Sequence, residues 1–325
     1  MSHTERSLAL AVCGSVIGAG FASGRELMSF FARYGAWGLA GIVCAVAVMA
    51  WVMSVALRRG TPGGLPACWR GTAWERVWQG MFLLLMIVMG GAMLSGSGEI
   101  AALMLPLRGA RLLGMGTTLV LALLLARWHL GALSGVSRVL VVCLLAAMVL
   151  ALRLPKGAGA VLGAQGRGGE ALGRGICYGG FNMALAVPVL GGHRLERRAR
   201  RHTTALTSFM LGGLLVLGVA LMLRHPELTD EPLPTVQLLR SYGLLGYRLC
   251  GLTMYMAVLT SLLAALRGIA VWSGGRKGYA VCLLALGVLG LCGFADIVDR
   301  VYPVLGAGCC ALFALSRVFC SDFAQ

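Results

Sequence analysis

Two charges stand side by side, Arg25 and Glu26, inside an apolar segment that runs from about Leu8 to Phe31. Immediately before them lies Cys13-Gly14-Ser15-Val16-Ile17-Gly18-Ala19-Gly20-Phe21-Ala22-Ser23-Gly24. A charge near the centre of a bilayer costs about 2.5–3.5 kcal/mol on insertion scales. Each interior glycine costs a helix roughly 0.5–1 kcal/mol relative to alanine. Unwound backbone at that depth is tolerated only where it is buried in protein or lines a wet cavity. The stretch therefore predicts a discontinuous helix beside a binding site. Such a break frees N–H groups that suit a carboxylate and C=O groups that suit a cation. The pairs Gly14/Gly18 and Gly20/Gly24 are also spaced for close helix packing. Arg6, the short apolar run and Ala22-Ser23-Gly24 imitate a signal peptide, a reading set aside because the rest of the chain is membrane-spanning too.

A second run of the same kind is Tyr178-Gly179-Gly180-Phe181-Asn182, followed by Pro188. Breaks near Gly18–Gly24 and near Tyr178–Asn182 would supply both kinds of helix end twice. The expected solute site is then Gly18, Ala19, Gly20, Phe21 and Ala22 with Tyr178, Gly179, Gly180, Phe181 and Asn182. Asn182 would add an amide and Tyr178 an aromatic wall, and both equally read as ordinary interhelical contacts. Arg25 and Glu26 open the second half of the first helix. The helix dipole favours a glutamate there by about 0.3–1 kcal/mol, and the alternative is a gate or proton site. Glu99, within Ser95-Gly96-Ser97-Gly98-Glu99, is a second membrane carboxylate, expected to pair with Arg25 or Arg248 across an outer vestibule.

These residues need elements to hold them. Of 325 residues, 58% are hydrophobic and 12% charged, and the mean hydropathy is +0.84. That composition describes an all-α integral membrane protein whose partner is the lipid bilayer. The net charge of +16 would point to nucleic acid in a soluble protein. Here basic residues sit in loops and orient helices, so no nucleic-acid partner is expected. There is no CxxC, HExxH or zinc-ligand spacing and no nucleophile–base pattern, so neither an enzyme nor a cofactor is expected. The 11 cysteines read as small packing residues rather than disulfides or metal ligands.

After the first segment, apolar stretches follow at about Trp37–Leu57, Val77–Leu105, Leu112–Arg127, Val139–Leu154, Gly173–Leu190, Thr204–Leu223, Tyr247–Trp272, Tyr279–Phe294 and Val301–Phe319. That makes ten transmembrane helices. Placing the N-terminus inside puts sixteen Lys/Arg on cytoplasmic segments and ten on outer ones, which favours cytoplasmic N- and C-termini in a cytoplasmic (inner) membrane. A glycine-rich linker, 156–173, separates residues 1–155 from 174–325. An odd number of spans in each half forces the halves into opposite orientation, the precondition for an inverted repeat with its site at the paired breaks.

The run from Gly18 to Glu26, together with Phe181-Asn182, resembles the YkvI-type membrane proteins, relatives within the amino acid–polyamine–organocation superfamily. The resemblance implies the LeuT fold: a 5+5 inverted repeat with discontinuous helices 1 and 6. It also implies a cation site between helices 1 and 8, formed by the carbonyls of Gly14, Ile17 and Ala257 and the hydroxyls of Thr260 and Ser261. Positions i, i+3 and i+4 share one helix face, and an all-oxygen set suits a hard cation. The competing reading is that Thr260 and Ser261 bond their own helix backbone. Phe21 stands where LeuT itself carries a side-chain amide for another sodium and the substrate, so a second sodium is not expected. The implied function is sodium-coupled symport of a small amino-acid-like or related organic solute by alternating access. Proton coupling, exchange and a non-transporting solute receptor are the alternatives.

Overall fold

The computed structural model describes residues 3–60, 66–127, 146, 149, 168–190, 192–240 and 243–318. Among them there is no strand. Five of the described helices are long and apolar enough to cross a membrane, consistent with an all-α, multi-pass membrane protein. The fifth expected span, Val139–Leu154, lies outside the described residues apart from Ala146 and Val149, as do residues 156–167 of the linker.

The first apolar segment is three helices in a row: α1 (His3–Val16), α2 (Ala19–Ala22) and α3 (Arg25–Phe30). A 3-10 turn, Ala32–Tyr34, leads to α4 (Ala36–Arg59), and a second, Ala67–Trp69, precedes α5 (Ala73–Met104). Thr72 caps α5, its hydroxyl accepting from the Trp74 amide at 3.2 Å. Cys68, just before it, is disulfide-bonded, against the expectation of thiols only. Next come α6 (Ala110–Arg127) and α7 (Gly168–Ala186), the latter running into a 3-10 turn at Val187–Leu190. The helix α7 thus begins inside the stretch expected to be a flexible linker. Then follow α8 (Arg197–Leu223), the short helix α9 (Pro234–Leu239), α10 (Gly243–Trp272) and α11 (Arg276–Leu291). The last membrane helix runs through α12 (Phe294–Asp296), a π-helical turn at Ile297–Val301, and α13 (Tyr302–Val318).

The core element is α7, which packs between α4 and α13. Its glycines explain how closely. A Cβ on Gly175 would strike the Gly41 carbonyl of α4, one on Gly179 would meet the Ala45 carbonyl, and one on Gly180 would meet the Gly306 carbonyl of α13. This corrects the expectation of a break at Tyr178–Asn182. The glycines there let two neighbouring backbones approach an intact helix. Asn182 Nδ2 donates to the Tyr178 carbonyl at 3.1 Å within that helix. The sixth segment departs from α-helix only at Val187, one residue before Pro188, which cannot donate a backbone hydrogen bond.

Candidate functional site

The first helix breaks twice, for different local reasons. The Ile17 amide still reaches the Cys13 carbonyl at 2.9 Å, but the Gly18 amide turns back to Val16 at 2.9 Å. Gly18 itself is extended, with φ −91° and ψ −171°. The ladder therefore skips the carbonyls of Gly14 and Ser15. One turn later Gly24 adopts φ +79°, a left-handed conformation that suits glycine and starts α3. Ser23 bridges this second break: its hydroxyl donates to the Gly20 carbonyl at 2.7 Å and accepts from the Arg25 amide at 3.2 Å. The Ser23 carbonyl in turn accepts from the Thr235 amide of α9 at 2.9 Å.

A cavity of about 370 Å³ lies against the first break. Its walls include Gly14, Ile17, Gly18 and Ala19 from the broken helix and Ala257, Thr260 and Ser261 from α10. All five residues of the expected cation set therefore meet at one space, with two of the expected solute residues. The nearest atom to a Cβ built on Gly18 is the Ser261 hydroxyl oxygen, at 3.9 Å. Thr260 Oγ1 donates to the Ala257 carbonyl at 2.9 Å, the backbone bond of the competing reading. That bond uses the hydroxyl proton and leaves the oxygen's lone pairs available. Apart from Ser15, the remaining lining is largely apolar, with Phe82, Met86 and Met89 from α5 and Trp272 at the end of α10.

Other expected site residues lie elsewhere. Gly20, Phe21 and Ala22 are buried and do not line the cavity, and Tyr178, Gly179, Gly180, Phe181 and Asn182 are buried in the packed length of α7. The sixth segment reaches the cavity later, through Leu185, Pro188 and Val189. Pro188 was the available sequence signal for that position. Phe181 stacks on Tyr302 with ring centroids 4.2 Å apart, and Tyr178 meets Phe30 and Phe31 edge-on at 5.1 and 5.0 Å.

The second break carries an ionic cluster. Arg25 pairs with Asp299 of the π-helical turn and donates to the carbonyls of Thr229 and Glu231 in the loop between α8 and α9, at 2.7 and 3.1 Å. Arg33 approaches the same carboxylate at 3.4 Å, and Arg174 of α7 donates to the Asp299 carbonyl at 2.8 Å. Arg25 thus ties α3, the Thr229–Glu231 loop and the last membrane helix together. Asp299 is a site residue that sequence reading missed; a π-helical turn, common at functional positions, leaves no pattern in a single sequence. Glu99 pairs with neither Arg25 nor Arg248. It meets Arg111 of α6 at 3.3 Å, because α5 and α6 are consecutive neighbours and Arg25 is already held by Asp299.

No model of a known protein family matches the chain, and no curated protein is similar to it.

Proposed function

We propose that the chain is a LeuT-fold secondary transporter of the cytoplasmic membrane, a sodium-coupled symporter of a small amino-acid-like or related organic solute. The observation that carries this reading is the asymmetry of the broken first helix. On the α1 side of α2 it faces a cavity bearing the five cation-set residues, and on the α3 side it is closed by Arg25 and Asp299. A space at one end and an ionic closure at the other is the arrangement that alternating access exchanges. Among the described residues no charged side chain lines the cavity, so the charged groups of a solute would be met by the freed backbone ends of Gly14 to Ala19. Sodium would sit among the carbonyls of Gly14, Ile17 and Ala257 and the hydroxyls of Thr260 and Ser261, tying the first helix to α10.

Solute and ion affinities then rise together by linkage. A typical coupling of about 1–3 kcal/mol is a 5- to 150-fold change in solute affinity. The test is solute affinity across a sodium titration at constant ionic strength, with choline as the replacement. Thr260→Ala with Ser261→Ala should abolish the sodium effect and leave the helix intact, alanine being the better helix former. Wild-type affinity indifferent to sodium would sink the sodium reading in favour of proton coupling or exchange. Tracer counterflow in proteoliposomes separates a transporter from a receptor, which binds without exchanging.

A further inference from the structure

The cavity leaves one group without a role. Glu26, in the first turn of α3, is 6% exposed. Its carboxyl is folded against Gly20 of α2, where any Cβ would collide with it. Among the described residues Oε2 has no hydrogen-bond partner. Arg25 is its neighbour in sequence but not on the same helix face, and Arg25 is held by Asp299.

The groups around it are neutral or engaged. From α7 the Tyr178 hydroxyl faces the carboxyl, yet it too completes no hydrogen bond of acceptable geometry. Tyr302, at the start of α13, lies within electrostatic reach. In the π-helical turn, Asp299 is taken by Arg25 and Arg33, and Arg300 pairs with Asp296 at the surface. In the 3-10 turn after α3, the Tyr34 hydroxyl donates to Glu170. The helix α2 and the outer half of α8 carry no titratable side chain except sequence-distant Arg224 and His225 beyond its end, and His225 contacts Glu227 at 3.0 Å.

We propose that Glu26 is a proton-binding site separate from the cation cavity. It holds a proton on its carboxyl while the Arg25–Asp299 end is closed and releases it to water when that end opens. An ionised carboxylate with no countercharge, facing only the neutral Tyr178 hydroxyl, is the costliest state available to this side chain inside a membrane. A carboxylic acid needs only an acceptor, and the Tyr178 hydroxyl can accept from the acid or donate to the carboxylate. The short α2, set between two breaks, gives α3 the freedom to carry Glu26 into water. Any part in coupling rests on the transporter reading; the bound proton does not.

Infrared difference spectroscopy on the full chain in lipid reads the proton directly. The wild type should show a protonated-carboxyl stretching band at neutral pH that disappears in Glu26→Gln, which copies the shape of the acid and should leave the thermal midpoint unchanged. If that variant fails to fold, Glu26→Asp should move the band rather than remove it. A band identical in wild type and variant, or no such band in the wild type, would overturn the proposal. In proteoliposomes with an entrapped pH dye, wild-type uptake should move protons and whatever uptake Glu26→Gln retains should move none. A wild type that shows the infrared band but transports nothing would refute the transporter reading and support the proton site.

Discussion

On the proposed transporter reading, Asp299 is the residue on which closure of the Arg25 end depends. It gathers Arg25, Arg33 and Arg174, and Arg25 is too buried to find water instead. An arginine does not give up its proton to escape such a position, so it must keep an acceptor or move. We expect Asp299→Asn to remove the charge-assisted bond, worth about 1.5–3 kcal/mol, and to shift the molecule toward the state in which α3 leaves the π-helical turn. Hydrogen exchange should then speed up roughly tenfold or more over residues 23–31 and in the loop around Thr229, with little change in α4 or α13. Uniformly faster exchange would mean that Asp299 supports the whole bundle rather than one gate.

At the level of elements, the two glycine-rich runs look alike in sequence and behave in opposite ways. In the first segment the glycines let the backbone leave the helix; in α7 they let neighbouring backbones come close to it. The difference is measurable. Gly175→Ala places a methyl against the Gly41 carbonyl of α4, and overpacking of this kind costs about 1–3 kcal/mol. Gly213→Ala, on α8 where nothing lies within 4 Å, should be neutral or stabilising by up to about 1 kcal/mol. Thermal unfolding of the two variants in one detergent checks the contrast. Equal midpoints would mean that α7 tolerates separation from α4.

For the molecule as a whole, the ends of the bundle differ in charge. Arg58 at the end of α4, Arg194 before α8, and Arg197 and Arg200 in its first turn surround a space of about 410 Å³, with Glu196 the one acidic residue among them. The helix α1 begins, and α10 ends near the cavity at Trp272, at this same end. The positive-inside rule assigns such a basic end to the cytoplasm; on the transporter reading proposed above, the cavity is then inward-facing and the Arg25 cluster outward-facing. A single cysteine at Ser273 should therefore react with an impermeant thiol reagent in inside-out vesicles, and one at Asp230 in right-side-out vesicles, in a background with the reactive native thiols replaced. The reverse pattern would invert the topology and reassign the cavity to the outside.

Composition alone marks a multi-pass helical membrane protein, and the glycines with Arg25 and Glu26 mark the broken first helix. Both are legible because they are local: a bilayer penalises polar groups wherever they fall in the chain, and backbone preference acts over a few residues. The meeting of Gly14 and Ile17 with Ala257, Thr260 and Ser261 at one cavity was expected from a resemblance, and only packing places them together. What no spacing could reveal is which partner a long side chain takes. Arg25 chose Asp299, more than two hundred residues away, over Glu99, because α3 packs on the π-helical turn and Glu99 is taken by Arg111. The same holds for α7: whether Gly179 and Gly180 unwind a helix or admit a neighbour depends on what stands opposite them, and that is decided by α4 and α13.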